Sequence, residues 1–207
     1  MARIQGGIAG IPSGKIGNVV FVNREGSPYI RQAPEYSKSS WTMNQKQHRE
    51  RFKKVAEFCR QFRLNIIRPI WNLLPGKASG YGKFLKANMP AFGRDGSLTD
   101  KSMLHFSNGT LPLPYHLSVA RVEGAGNTIE ASWENDALIP FTQKDDDLLY
   151  VAAAGEVFKG PFETGYKRQM GGCLIALPSE AGTVDAVYLF FASGDRHRYS
   201  PDRYFEV

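Results

Sequence analysis

"TIEASWEN", residues 128–135, sets Ile129, Ala131 and Trp133 at every second position with polar residues between them. A period of two sends alternate side chains to opposite faces of an extended chain, so one face is apolar and the other wet, the pattern of a half-buried β-strand. The stretch has neighbours of the same kind. Before it, "HLSVARVEG" (116–124) sets Leu117, Val119 and Arg121 against Ser118, Ala120 and Val122. After it come "DLLYVAAAG" (147–155), "GYKRQ" (165–169), "GCLIALP" (172–178), "DAVYLFFAS" (185–193) and "RYFEV" (203–207). Seven short strands separated by turn residues at this spacing indicate a β-sandwich, and Trp133 is the expected core anchor on its second strand.

Upstream of the stiff, proline-bearing "GTLPLPY" (109–115) the pattern changes. "GNVVFVNREGSPYIRQAP" (17–34) reads as two strands about a tight turn at Gly26, with "SGKIG" (13–17) as a turn before them. Thr42 and Gln45 have capping-box spacing, in which each side chain satisfies a free amide of the other's backbone. Beyond them Phe52, Val55, Cys59, Phe62 and Ile66 recur at steps of three and four, one apolar stripe of a helix that Pro69 should kink or end. A shorter helix is expected over "YGKFLKANM" (81–89), with Tyr81, Phe84, Leu85 and Met89 on one side, and "GRDGSLTD" (93–100) as a surface loop. The expected fold class is therefore α+β. Residues 1–112 form a basic hairpin-and-helix region, and residues 113–207 an acidic, all-β sandwich.

Charge follows the same division. Residues 1–112 carry a net +12 and residues 113–207 a net −6, which together give the +6 of the whole chain. Such a dipolar chain suits a polyanion, or the acidic half of a neighbouring copy in a head-to-tail contact. The candidate binding residues are Lys46, Arg49, Lys53, Lys54, Arg60 and Arg63 on the long helix, where Glu50 and Glu57 are the opposing acids. The aromatic residues of that helix lie mainly on the apolar stripe, which leaves no stacking platform for single-stranded nucleic acid.

Several chemistries find no support. "GGIAGIPSGKIG" (6–17) resembles a phosphate-binding loop, but Ala9 stands at the first glycine position, Ile16 replaces the magnesium-ligating hydroxyl, and a β-branched run follows where a helix is needed. Cys59 and Cys173 read as buried thiols, and the histidines His48, His105, His116 and His197 share no ligand spacing, so no metal or cofactor is implied. Asp145, Asp146 and Asp147 lack the alternation of a calcium loop and read as a solvated turn. Asp195, His197 and Ser200 lie too close together in sequence for a triad assembled from distant elements. No apolar run reaches the length of a membrane span and no signal-peptide core opens the chain, so a cytoplasmic product is expected.

The order of strands resembles a fibronectin type III or immunoglobulin-like sandwich, with Tyr188 in "VYLFFAS" as the tyrosine of the sixth strand. The long "NDALIPFTQKDDD" between the second and third strands departs from that pattern. The chain as a whole resembles a family of uncharacterised proteins of similar length from Bacteroidota and their phages. The matching stretches are "GKIGNVVFVNREGSPYIRQAP", "TMNQKQHRERF", "YGKFLKAN" and "YSPDRY". The resemblance implies no activity. With the charge asymmetry it implies a non-enzymatic structural or adaptor protein that works among copies of itself or other proteins, with a virion as its destination. A DNA-binding accessory protein acting through helix 42–64 is the alternative.

Overall fold

In the computed structural model the described residues are 3–5, 11–24, 27–35, 41–124, 126–135, 142–178 and 183–207. The expectations placed on Gly26 and on stretches 6–10, 36–40 and 136–141 fall outside them. The fold is mixed α/β with three antiparallel sheets. By backbone packing the chain divides into Met1–Met43 and Asn44–Val207.

In the first unit β1 (Arg3–Gln5), β2 (Ile11–Ile16), β3 (Val19–Arg24) and β4 (Ser27–Gln32) form a meander in that order. "SGKIG", expected as a turn, lies mostly within β2. The chain reverses one step later, at Gly17 and Asn18, where Ile16 faces Val19. Gly17 has φ +58° at the first central position, which matches the twist of the flanking strands and suits glycine. The register lines up Lys15, Val20 and Arg31 across three strands.

The second unit holds the seven expected strands. β5 (Tyr115–Arg121), β6 (Thr128–Glu134) and β9 (Gly172–Ala176) form one sheet in the order β5-β6-β9. β7 (Asp147–Ala154), β8 (Val157–Lys167), β10 (Ala186–Ala192) and β11 (Arg203–Glu206) form the other, in the order β11-β10-β7-β8. "GYKRQ" marks only the end of β8, which begins eight residues earlier at Val157. Gly160, Pro161 and Gly165 interrupt the alternation there, and register shifts along the β7–β8 pair hide the strand from a period-two reading.

The four-stranded sheet is covered on both faces. On one face Leu148, Tyr150, Val187, Leu189 and Phe191 pack with Leu117, Ile129, Trp133 and Ile175 of the three-stranded sheet. The opposite face, with Leu149, Val151, Phe158, Tyr188 and Phe190, packs with helical residues Phe58, Phe62, Ile66, Trp71, Phe84 and Phe106. β10 is buried at all seven positions, which explains why "AVYLFFA" is a continuous apolar run instead of an alternating one. The change of charge at 112/113 therefore marks no break in packing: residues 44–112, grouped by sequence with the hairpin, share a core with the strands. Tyr188, expected as a sandwich tyrosine, points into this helical layer and donates its hydroxyl to Lys101 O at 2.7 Å. Trp133 is buried as expected and donates Nε1–H to Arg168 O at 2.7 Å.

Helix α1 (Met43–Gln61) begins just after Thr42, and Val55, Cys59, Phe62 and Ile66 of its stripe are buried. Phe52 is not: it is 47% exposed, and residues 43–50 before it are exposed at every position. Phe58, off the expected stripe, packs its ring against those of Phe62, Phe84, Phe92, Phe106 and Phe158. The α-helix ends at Gln61, before Pro69, and passes into a π-turn, Arg63–Ile67, in which Ile67 N–H reaches Phe62 O at 2.9 Å. Helix α2 (Gly80–Asn88) runs where expected and is capped by Ser79, whose Oγ accepts from Gly82 N–H at 3.2 Å.

Candidate anion-docking face

Lys46, Arg49, Lys53, Arg60 and Arg63 follow one another at steps of 3, 4, 7 and 3 residues, so they fall on one side of α1 and its π-turn, and all are exposed. At 1.5 Å per residue the row spans about 26 Å. Lys54, the sixth candidate, lies off this row. Its Nζ pairs with Glu57 at 3.8 Å, and it borders a cavity that also holds Glu57, Asp95 and Glu156.

The row ends in a groove of about 700 Å³ where Arg60 and Arg63 meet Arg68, Asn72, Ser79 and Tyr81, with no carboxylate among its lining residues. The π-turn builds this end: Arg68 N–H reaches Arg63 O at 3.1 Å, one wide turn on, which places the two guanidinium-bearing residues one above the other. Arg68 stood outside the expected set, since a step of five fits only the π period. The start of α2 adds amides without intrahelical acceptors and the positive end of a helix dipole. Leu64, 70% exposed, supplies an apolar rim. Chemically the face offers fixed positive charge and hydrogen-bond donors along a line.

The other candidates resolve differently. Asp146, expected in a solvated turn, is fully buried. Its Oδ2 accepts from Arg168 Nε at 3.1 Å and from Gln143 N–H at 2.9 Å, while burial pushes the carboxyl above the ordinary range. Asp147 pairs with Lys167 and, at 3.1 Å, with Arg196. Asp195 Oδ1 accepts from Ser193 Oγ at 2.5 Å and from the His197 backbone N–H at 3.0 Å. The Ser200 hydroxyl is buried, accepts from Phe191 N–H and donates to Pro201 O, so the three residues are not brought into a relay. Cys59 is buried in one core as expected, whereas Cys173 is only half-buried against the other, and desolvation pushes their thiols up to about 12 and about 11. Among the described residues no cluster of His, Cys, Asp or Glu is placed to hold a metal ion, and no helix is long and apolar enough to cross a membrane. Compared with protein-family models, with curated proteins and with solved structures, the chain finds no match in any of the three.

Proposed function

We propose that the protein is a non-enzymatic structural adaptor that docks, through the cationic side of α1, onto an anionic protein surface in a larger assembly. The observation that carries this reading is the row of exposed cations Lys46, Arg49, Lys53, Arg60 and Arg63 on one side of α1 and its π-turn. A phage virion component, such as a ring, connector, head-decoration or tail-associated protein, is the assembly that the sequence resemblance points to. The strands support a binding module of fibronectin type III-like kind. The first, second and fifth strands make one sheet and the other four the second, with Trp133 edge-on to Phe191 at 5.5 Å between them. The acidic half of a second copy is a partner of the right charge, so the reading includes self-association.

Light scattering on nuclease-treated protein tests it. In low salt the solution mass exceeds the 23.1 kDa of one chain and falls back to it in high salt. The fourfold variant Lys46→Gln, Lys53→Gln, Arg60→Gln, Arg63→Gln stays monomeric in both. Self-association unchanged in that variant would remove α1 from the interface.

DNA binding is the second reading, and one observation favours it. Asn44, Gln45, Lys46, Gln47, His48 and Arg49 are all exposed on the first turns of α1, and such side chains read base edges when a helix enters a major groove. That reading requires duplex binding whose logarithm falls linearly with the logarithm of salt, with a shallower slope in the fourfold variant.

A further inference from the structure

Two residues further along α1 is about 200° around it, so the side away from the cationic row is a separate surface. There Asn44, Gln47, His48 and Arg51, at steps of 3, 1 and 3, face Arg94 across a cavity of about 250 Å³, and none of its lining residues is acidic. Arg51 is half-buried. One terminal nitrogen donates to Met89 O at 2.8 Å, while its Nε is fully buried with no partner among the described residues.

The loop that brings Arg94 to this place is built to stay. Gly93 N–H donates to Ser97 O at 2.8 Å, Gly96 N–H to Gly93 O at 3.1 Å, and Phe92 bridges Leu98. Gly96 has φ +82°, and a Cβ there would stand 2.8 Å from Lys54 Cγ and 3.3 Å from Arg51 Cα. Only glycine lets the loop lie this close to the helix. Asp95, the acid beside Arg94, is turned away: its Oδ1 accepts from Ser97 N–H at 3.1 Å and Ser97 Oγ at 2.7 Å. It borders a different cavity.

Arg51, Arg94, His48, Asn44 and Gln47 thus line one cavity with no counter-charge among them. We propose that this pocket binds a phosphate group. The Arg94 guanidinium matches phosphate oxygens two at a time, Arg51 adds a second fixed positive charge, and the side-chain donors of Asn44, Gln47 and His48 complete a shell around a tetrahedral anion. The cavity is several times the roughly 30 Å³ that a water molecule occupies, so it admits a phosphate together with part of what the phosphate is attached to. Small phosphate esters and the backbone of a nucleic acid both present that chemistry.

The test is a titration of the full-length protein with inorganic phosphate at constant ionic strength, followed by NMR at the Arg51 Nε–H. The expected result is a saturable shift that weakens tenfold or more in Arg94→Gln, a variant in an exposed loop, and in His48→Gln. Lys77→Gln, away from the pocket, leaves it unchanged. The fourfold α1 variant also keeps the titration, so the pocket and the docking reading fail separately. A second arm adds a short DNA duplex or a phosphomonoester to the phosphate-loaded protein. Displacement by the duplex assigns the pocket to a nucleic-acid backbone, and displacement by the monoester alone assigns it to a small ester. A shift that grows linearly without saturation, or one that is equal in Arg94→Gln, overturns the proposal.

Discussion

A fragment of residues 109–207 contains all seven strands of the sandwich together with Leu111 and Pro112, yet it should not fold stably on its own. Removing residues 44–108 uncovers the outer face of the four-stranded sheet. Leu149, Val151, Phe158, Tyr188 and Phe190 are each no more than 9% exposed, and they pack in the core that includes the helical residues. At about 2 kcal/mol for each large side chain, their burial is worth about 10 kcal/mol, against a typical total stability of about 5–15 kcal/mol. The fragment also loses the Tyr188 bond to Lys101 O, the Lys101–Asp185 ion pair at 2.7 Å and the Phe106 N–H bond to Asp202. Thermal unfolding by circular dichroism, with dye binding as a probe of exposed apolar surface, is the assay. The fragment should bind dye and melt without a cooperative transition, whereas residues 41–207 should melt close to the full chain. A monomeric 109–207 fragment with a sharp transition and no dye binding would show that the sandwich closes its own core, and the reasoning from the shared sheet would fail.

Other outcomes follow from the buried polar groups. Arg168→Met leaves the Asp146 carboxylate buried beside Gln143 N–H without its counter-charge, an expected loss of about 3–5 kcal/mol that lowers Tm by about 10 °C, and Asp146→Leu in the same chain should recover part of it. His105 is held by Asp202 at 3.3 Å, and that hydrogen bond raises its pKa. Its contribution to stability is therefore complete below the unfolded value of about 6.5 and disappears as pH rises through the higher folded value; His105→Gln should flatten a Tm-against-pH curve in that window. With thiols raised to about 12 and about 11, Cys59 and Cys173 are almost entirely protonated at pH 8, so a thiol reagent should label neither quickly in the native protein and both in denaturant.

What the sequence made legible was set by period. Ile129, Ala131 and Trp133 alternate because one face of β6 is wet, and Val55, Cys59, Phe62 and Ile66 recur helically because one side of α1 is covered. Where both sides are covered the signal loses its direction: "AVYLFFA" announces a buried strand without saying that a helical layer lies on its second face. The sequence boundary at 112/113 rested on a proline-bearing stretch and on charge, a property of surfaces, and neither says how a core is shared. Five of the six candidate cations share one side, because helical spacing is readable residue by residue. Lys54 fell off the row, and Arg68 joined it only through the π-turn. The Arg51–Arg94 pocket was out of reach, since it depends on Gly96 bringing a loop against a helix more than forty residues away in sequence.

Lysine footprinting tests the docking claim most directly, because it needs no knowledge of the partner. Acetylation rates at Lys46 and Lys53 would be read by mass spectrometry in low and high salt, with exposed Lys77 as the internal reference. The account predicts that in low salt Lys46 and Lys53 react several-fold more slowly than Lys77, and that high salt removes the difference. Equal rates at all three in both conditions, in a sample that light scattering shows to be associated, would place the interface elsewhere and contradict the account.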